Sequence, residues 1–229
     1  MSSVFAQALD LDLDRLHPQL QRRFGFSSDD RVACVGTGVM QRVWRGSPAL
    51  TPCLRLGATR NLLFPEAGTD VPFTIENYAY RDSFGRETLT FVRTFEVRPG
   101  RRRRFDATMV FSPERGRVVD YLGTHQHVAA DLDLHVDRDG ALVVRSGGFR
   151  FYEGRLGVRL PRVLAADALV RESYDDAAGC FRIHVEVRNA VVGPVFGYDG
   201  SFTVRYLDLV AAGGEVPSAV KPYREECRA

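Results

Sequence analysis

The feature that most constrains the fold is an alternation of apolar and polar residues that begins near residue 70. A side-chain period of two is typical of β-strands with one buried face. The alternating segments span residues 71–82, 86–97, 103–112, 116–127, 130–137, 140–146, 149–154, 167–175, 180–191 and 197–209. An earlier segment, residues 36–46, also reads as a strand. The chain is therefore predicted to be mainly β.

Short turn sequences separate these segments and favour hairpins. Examples are Ser83-Phe84-Gly85, Pro99-Gly100, Asp139-Gly140 and the stretch from Asp175 to Gly179. About ten strands in hairpin succession form an antiparallel meander, and a meander of that length usually curls into a barrel or half-barrel. Barrels of this size often enclose a ligand cavity, as in lipocalins.

The first 65 residues have a different pattern, which predicts a helical or mixed cover for the barrel. Phe5, Leu9, Leu13, Leu16 and Leu20 follow helical spacing, and Pro18 suits the first turn of a second helix. Residues 52–64 are another helical candidate, and residues 155–169 form a helical or irregular crossing. The prediction is one domain over residues 1–229, with the barrel at 70–210 and a polar tail at 211–229.

Composition narrows the classes of function. The 31 basic and 29 acidic residues give a net charge of +2, which argues against a nucleic-acid binder. Lys221 is the only lysine, so Schiff-base chemistry is disfavoured. No phosphate-binding glycine loop and no Gly-x-Ser-x-Gly elbow are present, and we expect no cofactor. The four dispersed cysteines and the lack of an apolar span predict a soluble cytoplasmic protein.

Three of the five histidines lie within residues 123–137. In a strand, His125 and His127 would share one face, where two imidazoles can bind a metal. The alternative is a plain strand whose polar face carries both rings, with Val118, Leu122 and Val128 on the apolar face and His135 on the next strand. We favour the second interpretation and expect no metal. If His125 and His127 point into the barrel, they are candidates for proton transfer.

Two charged residues interrupt apolar strand faces. Arg93 alternates with Leu89, Phe91 and Phe95, and Glu172 alternates with Ala168, Val170 and Tyr174. An unpaired buried charge would cost several kcal/mol, so each side chain needs a partner or a polar cavity. The simplest expectation is that Arg93 and Glu172 pair with each other. In a ligand cavity, Arg93 would bind a carboxylate, enolate or phenolate oxygen and Glu172 could move a proton.

Aromatic side chains supply the remaining candidates for ligand binding. They are Phe91 and Phe95 on one strand, Tyr121, and Tyr198, Phe202 and Tyr206 on the last strand. Packing in the core is the simpler role for such residues. The run of arginines in residues 99–105 is interpreted as a solvated hairpin turn.

Several segments resemble the domain of unknown function 4166 family. They are "LDRLHPQLQRRF", "GTDVPFTIENYAYRD", the Arg-x-Phe at Arg93, "EGRLGVRLPRVLA", and "CFRIHVEVRNAVVGPVFGYDGSF", which contains Tyr198 and Gly200. The family usually has a tryptophan in the strand before the Arg-x-Phe, where Phe91 is the nearest aromatic here. The family has no settled activity. Because it also occurs fused to Rossmann-type oxidoreductases, the resemblance suggests a possible oxidoreductase partner.

Three functions follow as expectations. The first is a barrel that binds a hydrophobic small molecule and catalyses a cofactor-free isomerisation, cyclisation or dehydration in a biosynthetic pathway. The second is a non-catalytic carrier of a lipid or a polyketide-like ligand. The third is an accessory domain that docks an oxidoreductase, which would show an exposed apolar patch and no sizeable cavity.

Overall fold

The computed structural model describes residues 2–161, 163–211, 213 and 215–229. Its strands are β1 (Val32–Arg45), β2 (Gly68–Arg81), β3 (Glu87–Arg98), β4 (Arg101–Ser112), β5 (Arg117–Leu122), β6 (Val128–Val136), β7 (Leu142–Glu153), β8 (Leu156–Arg159), β9 (Asp167–Asp175), β10 (Cys180–Asn189) and β11 (Gly193–Asp208). The helices are α1 (Val4–Leu9), α2 (Pro18–Gly25) and α3 (Thr51–Ala58).

Ten of these strands close into an antiparallel barrel, as the alternating pattern predicts. Hairpin neighbours pair from β1 to β7, then β7 pairs with β9, β9 with β10, β10 with β11, and β11 with β1. β8 is a short addition beside the last residues of β7. Closure leaves no free sheet edge among the ten strands, which is the usual solution for a long meander.

Gly38 in β1 lets two neighbouring strands of the barrel approach each other closely. A Cβ on Gly38 would lie 2.1 Å from the carbonyl oxygen of Ser201 on β11. No side chain fits at that distance, so the two backbones can approach only because residue 38 is glycine.

The helices close the two ends of the barrel. Pro18 occupies the first turn of α2, and the His17 ring accepts a hydrogen bond from the Gln19 N–H (3.2 Å), so α2 begins where the sequence predicts. Phe5 of α1 and Phe24 of α2 pack at one end of the core. Leu54 of α3 is buried at the other end, which we call the α3 end. The first predicted helix is shorter than expected, because residues 10–15 form a 3₁₀ turn.

Three segments differ from the predicted strands. The strand predicted over residues 116–127 ends at Leu122, because Gly123 adopts a positive φ and the chain turns there. Residues 140–146 and 149–154 form the single strand β7, with a register shift opposite Gly147. The predicted crossing at 155–169 begins with β8, and its Arg162 lies outside the described residues.

Two charged regions also differ from expectation. The arginines of residues 101–104 lie inside β4 rather than in a turn, and Arg103 forms a bidentate ion pair with Glu66 (2.6 and 3.0 Å). The C-terminal segment, residues 223–228 of the predicted polar tail, packs against the barrel. Its Glu226 is buried on the outside of the barrel, where two flanking arginines and the Gln126 side chain hold it.

Candidate functional site

A cavity of about 340 Å³ lies inside the barrel. Inward-facing residues of the strands form its wall, and Phe5 and Phe24 line it at one end. At the α3 end it is lined by α3, Leu160 and residues 164–166. Most of the lining is aliphatic or aromatic. Its size and lining are typical of sites that bind hydrophobic small molecules.

Besides Ser146, whose hydroxyl accepts a hydrogen bond from the Ala168 N–H (2.7 Å), four polar or charged side chains reach into this apolar space from separate strands. They are Arg93 of β3, Asp120 of β5, Glu172 of β9 and Tyr198 of β11. Each occupies an inward position of its strand, so the alternation that builds the core also brings these four groups together.

Asp120 is buried at 7% exposure, and its Oδ1 has no hydrogen-bond partner among the described residues. Burial raises the pKa of Asp120 to about 7, although the positive charge of Arg93 opposes part of this rise. A carboxyl group of this kind exists in both protonation states near neutral pH. It can therefore donate or accept a proton.

Arg93 provides the positive charge of the site. Its guanidinium lies over the rings of Phe91 (5.2 Å) and Phe105 (4.7 Å), and one terminal nitrogen is buried without a hydrogen-bond partner in the described structure. A guanidinium donor that is buried but unbonded is costly. Such a donor is available to an oxygen atom of a ligand.

Glu172 does not pair with Arg93, contrary to the expectation from the strand patterns. Its carboxylate accepts a hydrogen bond from Arg23 Nε (2.5 Å), and Arg23 also donates to Asn77 Oδ1 (2.7 Å) and to Cys34 Sγ (3.3 Å). Arg23 is on α2, far away in sequence, and it is fully enclosed. Glu172 is thus held in a structural ion pair at the α2 end of the cavity, while Arg93 keeps an unbonded donor.

Tyr198 is the only predicted ligand-binding tyrosine that lines the cavity. Its ring packs edge-on against Phe95 with centroids 5.0 Å apart, and burial raises the pKa of its hydroxyl to about 12. The hydroxyl has no hydrogen-bond partner in the described part of the chain. It is therefore a neutral hydrogen-bonding group at neutral pH.

The other predicted aromatic residues have different positions. Phe91 lines the cavity, whereas Phe95 and Phe202 are buried in the core and do not line it. Tyr206 lies beneath Arg22 of α2, with the guanidinium 4.0 Å from its ring centre. Tyr121 points outward and donates a hydrogen bond to the Arg228 carbonyl oxygen (2.5 Å), so it anchors the C-terminal segment.

The histidine pair lies in the turn between β5 and β6 and not on a strand face. His125 and His127 stack with their centroids 5.7 Å apart, but neither lines the cavity. His127 contacts the Glu153 carboxylate (2.9 Å) and Arg224 (3.2 Å) instead. Within the described residues no group of three metal-binding side chains occurs. The structure thus separates the histidines from Arg93 and Glu172.

Asp120 is the residue that the sequence reading missed. It lies between Val118 and Leu122 on the face that we identified as apolar. The signal was the same one that singled out Arg93 and Glu172, a lone charged residue at an apolar position of a strand.

No helix in the described part of the chain is long and apolar enough to cross a membrane.

Comparison with known proteins gives a family but no activity. The chain is 31% identical over 202 residues to an uncharacterized protein, YndH, of Bacillus subtilis (strain 168), and the match covers 88% of this chain and 97% of YndH. The family model described as Domain of unknown function (DUF4166) matches residues 16–202, a range that contains all four polar cavity residues. The chain therefore belongs to the DUF4166 family, as its sequence motifs predict.

Proposed function

We propose that the barrel binds a hydrophobic small molecule bearing a carbonyl or carboxylate oxygen, and catalyses a cofactor-free isomerisation, cyclisation or dehydration. The observation that supports this most is the pair Arg93 and Asp120 in an apolar cavity. One offers an unbonded donor, and the other has a pKa of about 7. Folding alone gains nothing from leaving these groups unbonded, whereas a polar ligand atom would satisfy them.

Arg93 is the proposed oxyanion-binding residue. Its guanidinium would hold the ligand oxygen, and the surrounding apolar wall would strengthen that interaction by excluding water. The neutral Tyr198 hydroxyl on β11 can add a second hydrogen bond.

Asp120 is the proposed proton-transfer residue. In an isomerisation, its carboxylate removes a proton from the carbon beside the carbonyl, and the bonding electrons move to the oxygen held by Arg93. The proton then returns to a different carbon, so the double bond moves and no redox partner is needed. In a dehydration, the same proton goes to the departing hydroxyl group, which leaves as water.

A non-catalytic carrier is the second candidate, and the predominance of apolar lining favours it. In a carrier, Arg93 would still anchor an acidic head group, but Asp120 would have no role in turnover. The third expectation, an accessory domain for an oxidoreductase, required the lack of a sizeable cavity. The cavity makes it the weakest of the three.

The first experiment identifies the ligand and measures its binding. Native mass spectrometry of the purified protein reports any co-purified molecule, and cis-parinaric acid, a fluorescent fatty acid, serves as the binding probe. We expect Arg93→Gln to weaken binding of this probe at least tenfold, and Asp120→Asn to leave it nearly unchanged. Asp133→Asn, an exposed carboxyl on β6, is the matched control. Lack of any probe binding together with lack of co-purified ligand would refute the binding function.

The second experiment tests catalysis on the co-purified ligand in deuterated water. The wild-type protein is expected to incorporate deuterium into the ligand or to release water from it, and Asp120→Asn is expected to lose this activity while still binding. If the wild-type protein binds the ligand but leaves it chemically unchanged, catalysis is refuted and the carrier function stands.

A further inference from the structure

The strand pairing of the barrel is incomplete between β7 and β9. These strands pair only over Leu142–Arg145 and Leu169–Glu172, at the half of the barrel nearer α2. Toward the α3 end they diverge, and β8 takes the place of β9 beside residues 150–153 of β7. Leu160 and residues 163–166, which we call the gap segment, fill this gap. Two hydrogen bonds from the Asn189 side chain to the carbonyls of Val163 and Ala165 attach the segment there.

A surface groove of about 890 Å³ lies over this gap. Five residues border both the groove and the internal cavity: Ser146, Phe149, Leu160, Ala165 and Ala168. A single layer of residues therefore separates the ligand cavity from the outside. Displacement of this layer would open a route by which a hydrophobic molecule could enter.

Exposed apolar side chains surround the same end of the barrel. Leu56 of α3 is 71% exposed, Leu164 in the gap segment is 72% exposed, and Val191 in the β10–β11 turn is 69% exposed. Leu156, Val158, Val163, Leu169 and Val192, from the same region, are also exposed. These side chains come from five separate elements, which are α3, β8, the gap segment, β9 and the β10–β11 turn. An apolar surface of this kind marks an interaction site.

The same end is rich in arginine. Arg145, Arg159 and Arg188 border the groove over the gap, together with Asp167 and Glu186. On the other side of α3, a second groove is bordered by Arg45, Arg55, Arg98, Arg101 and Arg103, with Glu66 as its one acidic residue. Eight arginines and three acidic residues thus border the two grooves. The chain as a whole is nearly neutral, so positive charge is concentrated here.

We propose that the α3 end docks onto the surface of an anionic lipid bilayer, and that the hydrophobic ligand passes between the membrane and the cavity through the gap between β7 and β9. Exposed apolar side chains beside arginines are the combination that binds the interface of such membranes. The apolar residues enter the boundary between head groups and acyl chains, and the arginines contact the lipid phosphates. Passage of the ligand rests on the proposed function, whereas docking does not.

The test measures binding to vesicles of phosphatidylcholine alone and of phosphatidylcholine mixed with phosphatidylglycerol, by flotation of the purified full chain. We expect binding to the mixed vesicles that weakens as salt is added. Removal of Arg159 or Arg188 by substitution with alanine is expected to weaken binding about fivefold each. Leu56→Ser is expected to weaken it about tenfold.

Matched controls lie at the opposite end of the barrel. Leu11 is 80% exposed near α1, and Arg138 is exposed in the β6–β7 hairpin. Leu11→Ser and Arg138→Ala are expected to bind vesicles like the wild-type protein. Failure of the wild-type protein to bind the mixed vesicles overturns the proposal, and so does an equal loss in the control variants. Equal binding to both vesicle types overturns the role of the arginines.

A separate measurement keeps docking distinct from the cavity function. Binding of cis-parinaric acid without vesicles is expected to be unchanged in Leu56→Ser, because the exposed Leu56 does not line the cavity, and at least tenfold weaker in Arg93→Gln. If vesicle binding fails while this probe still binds, docking alone is refuted. If the probe fails to bind the wild-type protein while vesicle binding persists, the cavity function alone is refuted.

Discussion

Replacing Asp120 with asparagine should change how the stability of this protein depends on pH. Burial raises the pKa of Asp120 from 3.8 to about 7 in the folded chain. Between these two values the unfolded chain has lost the proton and the folded chain retains it. The free energy of unfolding therefore falls as pH rises through this window. Asparagine has nearly the same shape as aspartate and no charge. The free energy of unfolding of Asp120→Asn should therefore not fall across this pH window.

The magnitude follows from the width of the window. Each pH unit between the two pKa values contributes about 1.4 kcal/mol. From pH 5 to pH 8 the wild-type protein loses about 3 kcal/mol relative to Asp120→Asn, and above pH 8 the difference stays nearly constant because Asp120 is ionised in both states. The variant is therefore expected to be the more stable protein at pH 8.

Urea denaturation at pH 5, 6, 7 and 8 measures this difference, with Asp139→Asn as the control. Asp139 is exposed in the β6–β7 hairpin, and its replacement should shift the curve equally at every pH. If the stability difference between Asp120→Asn and the wild-type protein does not change with pH, Asp120 is not a buried carboxyl of raised pKa. The proposed proton transfer would then lose its basis.

Three further predictions concern the framework around the cavity. Glu172→Ala leaves Arg23 buried without a carboxylate partner. It is expected to lower the free energy of unfolding, measured by urea denaturation, by about 3 to 5 kcal/mol. Gly38→Ala forces β1 and β11 apart and is expected to lower the free energy of unfolding by about 1 to 3 kcal/mol, measured by thermal unfolding. Gly25→Ala, whose added methyl group meets open space, should be nearly neutral in the same experiment. Hydrogen bonds from Arg228 and Arg224 lower the pKa of Glu226 to about 2, so the C-terminal segment should lose protection from hydrogen exchange as pH falls below 4.5. Unchanged protection at pH 3 would contradict that reasoning.

The barrel could be predicted from the sequence because neighbouring residues mark each of its strands and turns. Each strand shows its inward face by alternation, and each hairpin shows its turn by glycine, proline or aspartate. The start of α2 was also predicted from a local signal, because proline fits the first turn of a helix and few other helical positions, and Pro18 occupies that turn. Errors occurred where one residue ended a strand, as Gly123 does before the histidine turn.

The content of the cavity could be predicted only in part. The alternation placed Arg93, Glu172 and Tyr198 on inward faces, and the structure confirms that all three line the cavity. The same rule applied to Asp120, but a strand pattern shows only the face on which a residue lies. It does not show how deeply the residue is buried or what lies across the cavity from it.

The sequence by itself determined the fold class, which residues of a strand share a face and the membership of the family. Tertiary structure alone decided which buried charges meet. Arg23 reaches Glu172 across 149 residues of chain because α2 closes the end of the barrel at that point. That leaves Arg93 near Asp120 with a donor unbonded. The physical reason is that closing the barrel fixes distances across its interior, and neither alternation nor turn chemistry encodes those distances.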